Sequence, residues 1–137
     1  MPIQELYLRT KIERAIQSTG NQLLDLVTSG NYTIFLATGY IPNHGLVKQI
    51  GLTRNDLDFT DIDKQLTKTT YTKLDMSTAR LFATQFKKWI DVHGALAYGS
   101  YNPDKTNLYT SIINKLYPDL HRTVVPSFIG DIIIVSK

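Results

Sequence analysis

MSTARLFATQFKKWIDV, residues 76–92, is the stretch that decides how this chain folds. Ala79, Phe82, Ala83, Phe86, Trp89 and Ile90 recur at spacings that place them on one face of a helix with a period near 3.6. Arg80, Gln85, Lys87, Lys88 and Asp91 fall outside that face. Asp75 or Ser77 can accept from the free backbone N–H groups at its start, and Gly94 can close its end. A helix with a single apolar stripe must bury it, so the rest of the chain has to supply a second layer.

Toward the C-terminus, Asn102-Pro103 opens another helix with Leu108, Tyr109, Ile112, Ile113 and Leu116 turned inward, and Pro118 stops it. Strands follow near residues 122–125 and 131–136, joined by a turn around residues 126–130.

Toward the N-terminus, residues 32–38, YTIFLAT, are β-branched and aromatic and read as a strand, followed by turn chemistry in residues 39–45. Residues 46–52 stay open between a short helix and a strand. Thr53 with Asp56, and Thr60 with Asp63, have the hydroxyl-to-carboxylate spacing of a helix start, so short helices are expected near Arg54 and Asp61. The threonine-rich residues 67–73 read as an edge strand or extended loop. Before all of these, Leu8, Ile12, Ala15, Thr19, Leu23 and Leu26 keep helical phase. Gly20-Asn21 interrupts the run, but the unbroken phase favours one long helix over residues 3–27 rather than two.

The order of elements predicts an α+β fold: about three amphipathic helices packed on one face of a small, mainly antiparallel sheet, in a single domain spanning residues 1–137. An apolar share of 42% and a charged share of 20% are globular values. The net charge of +3 permits an anionic partner without demanding one, because the basic residues are scattered along the chain. The absence of cysteine removes disulfides, thiolate nucleophiles and cysteine-ligated metals. The first residues lack a basic region followed by an apolar run, and no segment reaches the length of a membrane span, so the expected location is cytoplasmic, or the virion if the protein is viral.

Asp56, Asp58, Asp61 and Asp63 form the densest acidic cluster, and convergent carboxylates can hold Mg²⁺ or Ca²⁺ for hydrolysis. The cluster lacks the turn glycine and closing glutamate of a calcium loop, and helix capping accounts for it more simply. His44, His93 and His121 are far apart; His93, two residues after Asp91 at a helix end, is expected to be a protonated imidazole stabilised by the last carbonyls. Neither a nucleophile elbow nor a glycine-rich phosphate loop occurs, so no catalytic residue, cofactor or metal is assigned. The loop carrying Tyr98, Tyr101 and Asn102 has the composition of a contact surface, and Arg80, Lys87 and Lys88 form an exposed basic face.

These features favour a non-catalytic structural or interaction subunit of a larger assembly, for instance a viral or phage component, whose partners are other protein subunits in a homo- or hetero-oligomer. A nucleic-acid-associated regulator or inhibitor using Arg80, Lys87 and Lys88 is the alternative, and a metal-dependent hydrolase built on the Asp56 to Asp63 cluster is the third reading.

Overall fold

The computed structural model describes residues 3–30, 32–55, 76–99, 103–127 and 130–137. Among the described residues three helices, α1 (Ile3–Gln17), α2 (Met76–His93) and α3 (Pro103–Leu116), accompany six strands: β1 (Leu23–Ser29), β2 (Tyr32–Ile41), β3 (Gly45–Arg54), β4 (Ala95–Gly99), β5 (His121–Val125) and β6 (Ile132–Ser136). All six strands belong to one sheet in the order β1-β2-β3-β4-β6-β5. Its neighbours are antiparallel except β3 and β4, so the fold is α+β on a mixed sheet that is mainly antiparallel.

The N-terminal segment divides where its interruption lies. Helix α1 ends at Gln17, Gly20 takes a φ of +81°, and the hydroxyls of Ser18 and Thr19 donate back to the carbonyls of Ala15 (2.6 Å) and Ile16 (2.7 Å). Those bonds satisfy carbonyls that a continuing helix would have claimed, and a glycine accepts the left-handed turn without a Cβ clash. One long helix over residues 3–27 is therefore replaced by a helix and a strand. The LLDLVTS of β1 kept helical phase only because Leu23 and Leu26 happen to fall on it.

Residues 46–52, open between helix and strand, lie in β3, and β2 runs on to Ile41. The hairpin between them turns through Pro42, Asn43 and His44, with Asn43 at φ 70° and Gly45 at φ 77°. Helix α2 matches its predicted span within one residue and ends on Gly94 at φ +81°, whose N–H donates to the Ile90 carbonyl (2.8 Å). The helix expected near Arg54 gives way to β3, which includes that residue; the one near Asp61, the Asp56 to Asp63 cluster and residues 67–73 lie outside the described residues.

Apolar side chains alternate across β2, and both alternations are used. Ile34 and Leu36 join Ile50, Leu52, Leu96, Tyr98 and Val135 beneath Phe82, Phe86, Trp89 and Ile90 of α2 and Tyr109 and Ile113 of α3. Phe35 and Ala37 instead meet Ile12, Ala15 and Ile16 of α1. Because successive strand residues point to opposite faces, α2 and α3 cover one face and α1 rests on the other, where the sequence reading had put all three helices together.

Trp89, 2% exposed, donates its indole N–H to Asp25 Oδ2 (3.1 Å), and Asp25 Oδ1 accepts from the Leu26 N–H (2.8 Å). This tie fixes α2 over β1 at the register shift between Leu23 and Asp25. Phe82 stacks on Tyr109 at 5.0 Å, and Tyr98 meets Tyr109 edge-on at 6.0 Å, joining α2, α3 and β4. On the opposite face the Phe35 ring lies over Gly51, where an added Cβ would collide with the ring.

Trp89→Ala should therefore lower unfolding free energy by roughly 3–5 kcal/mol in urea denaturation, and Gly51→Ala, which crowds the Phe35 ring, by about 1–3 kcal/mol. A Trp89→Ala protein as stable as the parent would remove that ring from the core.

Candidate functional site

The seam between β3 and β4 is the sheet's parallel pairing. β3 and β4 are in register at Gln49↔Ala97 alone, whereas β3 pairs with β2 from Gly45 to Arg54 and β4 pairs with β6 from Ala95 to Gly99. Near the start of both strands lies a cleft of about 320 Å³ lined by Thr38, Leu46, Val47, Lys48, Ala95, Leu96 and Ile134. By the register of the sheet the side chains of Thr38, Leu46, Lys48 and Leu96 point to the face that α2 covers, and those of Val47, Ala95 and Ile134 to the other, so the cleft is lined in part by backbone.

Lys48 is held from the end of α2. Its Nζ lies 2.9 Å from His93 Nδ1. An ammonium group can only donate, so Nδ1 accepts and the imidazole proton sits on Nε2. Burial, and secondly the charge of Lys48, hold the His93 pKa below its ordinary 6.5. The expectation of a protonated His93 resting on the last carbonyls of the helix is thus corrected: Lys48 brings the positive charge, and the ring is the neutral acceptor. The neighbouring carboxylate goes elsewhere, Asp91 pairing with Lys137, whose backbone N–H donates to the Gly94 carbonyl (3.1 Å).

Beside the cleft the surface stays apolar. Tyr40 and Leu46 stand opposite each other across β2 and β3, 67% and 77% exposed. Leu46 belongs both to this pair and to the cleft wall.

The residues singled out from the sequence are not brought together. Tyr98 lies in β4, not in a loop, and is 1% exposed, with its hydroxyl bonded to Thr110 Oγ1 (2.8 Å); burial pushes its ionisation up. It is a core residue. Tyr101 and Asn102 lie outside the described residues. Arg80, Lys87 and Lys88 are all exposed, on the side of α2 opposite its buried Phe82, Phe86 and Trp89. Burial also raises the ionisation of Tyr109 far above its usual range, which disqualifies it as a base near neutral pH. Among the described residues no three acidic or histidine side chains converge as metal ligands would, and no helix is long and apolar enough to cross a membrane.

Sequence reasoning missed Lys48 and Leu46 altogether. The available signal was the pairing of a strongly turn-forming Pro42-Asn43-His44-Gly45 with flanking apolar residues, which marks a hairpin and so puts Tyr40 opposite Leu46. What the fold and the cleft define is an α+β protein with an apolar recess at a parallel seam, edged by one lysine and one neutral histidine. No protein-family model matches the chain, and no curated protein and no solved structure matches it.

The His93 environment sets a pH dependence. The unfolded chain protonates this ring near its ordinary 6.5, while the folded chain resists until lower pH. Between those two points the unfolded state binds more protons, so stability falls as pH drops below about 6.5 and levels once the folded ring is protonated. His93→Gln keeps an acceptor for Lys48 but cannot titrate, and should flatten that part of the curve. Urea midpoints measured from about pH 7.5 to about pH 5 check this; parallel losses in both proteins would contradict it.

Proposed function

We propose that the protein is a non-catalytic interaction subunit of a larger assembly and that it makes contact through the end of the sheet where the β2–β3 hairpin closes. The observation that supports this is the exposed Tyr40–Leu46 pair continuous with the cleft wall. Aromatic and aliphatic groups displayed side by side next to a recess give a contact surface its apolar centre, and Lys48 and His93 supply the polar margin. The partners of such a surface are other protein subunits, copies of this chain or different ones.

Leu46→Asp and Tyr40→Ser test the homo-oligomeric form directly. Both side chains are mostly exposed, so melting temperatures should stay within about 1–2 °C of the parent. Light scattering should show a mass that rises with concentration for the parent and stays at one chain for Leu46→Asp. A parent that is monomeric at every concentration removes self-assembly from the reading.

A second reading, a nucleic-acid-associated regulator, draws support from the common exposure of Arg80, Lys87 and Lys88 on α2. Three phosphate contacts give a log–log salt slope of about −2.7, and Lys88→Ala should reduce it by about 0.9. Affinity for duplex DNA or RNA that ignores salt would dismiss this reading.

A further inference from the structure

The two edges of the sheet are built differently. At β1 the register shifts between Leu23 and Asp25, and the Asp25 carboxylate points inward to Trp89. A bulge and an inward-pointing charge are devices that keep an edge strand from pairing with another chain. β5 has neither. Its five pairs with β6 run without a shift, four of its five residues are exposed, and among the described residues no strand lies beyond it. Its one arginine is engaged by its own chain, the Arg122 guanidinium donating to the carbonyls of Leu120 (3.2 Å) and Tyr117 (3.3 Å). We propose that β5 pairs with β5 of a second copy, antiparallel about a two-fold axis through Thr123, and so joins two six-stranded sheets edge to edge.

The ladder tells which groups this edge offers. The Lys137 N–H donates to the Gly94 carbonyl (3.1 Å), one step beyond the pair Ala95↔Ser136, so Lys137 and every second residue before it, Val135 and Ile133, bond toward β4. Ser136, Ile134 and Ile132 therefore bond toward β5, and their partners His121, Thr123 and Val125 direct their backbone groups to β6. Arg122 and Val124 are left with N–H and C=O directed outward.

These groups select the register. An axis through Thr123 sets Arg122 of each copy opposite Val124 of the other, where the two residues exchange both hydrogen bonds and every outward group is satisfied. It also sets Thr123 against Thr123, a favourable cross-strand pair, and keeps the two guanidinium groups apart. An axis through Arg122 would oppose those charges and bring Val124 to Leu120, whose N–H already donates to the Tyr117 carbonyl (3.4 Å). An axis through Val124 would oppose Arg122 to Pro126, which has no N–H. The edge is thus complementary to itself in one register, and Pro118 and Pro126 bound it equally in both copies.

So narrow a contact dissociates in the millimolar range when it acts alone, which light scattering at about 0.1 mM does not register. Copies already held in an assembly meet at a higher effective concentration. The pairing lies apart from the hairpin end and gives the chain a second contact.

The experiment is a dilution series of the ¹⁵N-labelled Leu46→Asp protein from about 2 mM to about 0.05 mM, so that the hairpin contact takes no part. The amide resonances of Arg122 and Val124 should move downfield with concentration, and that of Thr123, already bonded to β6, far less. Val124→Glu sets a carboxylate opposite Arg122 of the other copy and should pair about fourfold more tightly than Val124→Lys, which sets like charges there. Val124 is 55% exposed, so both variants should fold.

Arg122 and Val124 amides that ignore concentration would overturn the proposal, whatever other residues do. Equal pairing by Val124→Glu and Val124→Lys, or tighter pairing by the lysine, would overturn it as well, because the axis through Thr123 is the one that brings residue 124 to Arg122. The dilution series needs no substitution in β5, so it decides the matter even if a Val124 variant misfolds. Light scattering of the parent tests the hairpin contact separately, and either reading can fail alone.

Discussion

The packing of α2 on the sheet is the constraint on which the rest depends. Strand β3 and strand β4 are parallel neighbours, and a chain joins parallel neighbours only by crossing over the sheet. The crossing element must bury an apolar face, and α2 does so with Phe82, Phe86, Trp89 and Ile90, each at most 2% exposed. Trp89 adds direction to this burial: its indole N–H reaches Asp25 on the far strand β1, so the helix is anchored across three strands and not only above the seam it bridges.

That anchoring also joins the two halves of the sheet. The strands β1, β2 and β3 form one antiparallel unit, and β4, β6 and β5 form another, each paired along the length of its own strands. The two units meet at Gln49↔Ala97. What keeps them together is the shared apolar layer, in which Ile34, Leu36, Ile50 and Leu52 from the first unit and Leu96, Tyr98 and Val135 from the second touch the same two helices. The recess lies near the starts of β3 and β4. Its apolar lining follows from where it lies, at the margin of the core.

Legibility in the sequence tracked how local the cause was. Helix α2 was readable because its stripe, its start and its Gly94 stop all agree, and the strands β5 and β6 were readable because short β-branched runs are bounded by turn residues. In the N-terminal segment helical phase runs on past Gly20, but the hydroxyls of Ser18 and Thr19 close the helix from within. The division of helices between two faces was hidden for a different reason. Residues 32–38 are apolar on both alternations, which signals burial on both faces, but that pattern was read only as strand propensity. Gly99 and Ser100 give Tyr98 the sequence context of a loop, whereas its neighbours Leu96 and Ala97 continue a strand that is buried at three successive positions. The recess could not be read at all. Its residues come from β2, β3, β4 and β6, and no motif connects them, since only the register of the sheet sets Lys48 beside Leu96.

The pairing of Lys48 with His93 has a logic that a salt bridge would lack. A carboxylate at position 93 would hold the lysine more firmly, but it would cancel the charge. A neutral imidazole fixes the direction of the ammonium group through one hydrogen bond and leaves its charge available, because burial and Lys48 itself both oppose protonation of the ring. Asp91, a carboxylate on the same helix end, is drawn to Lys137 after β6. Position two residues apart on α2 thus sorts the two groups: Asp91 secures the end of the last strand, and His93 presents Lys48 to the recess. The same short stretch of sequence that ends the crossover helix therefore also determines which charge the seam displays.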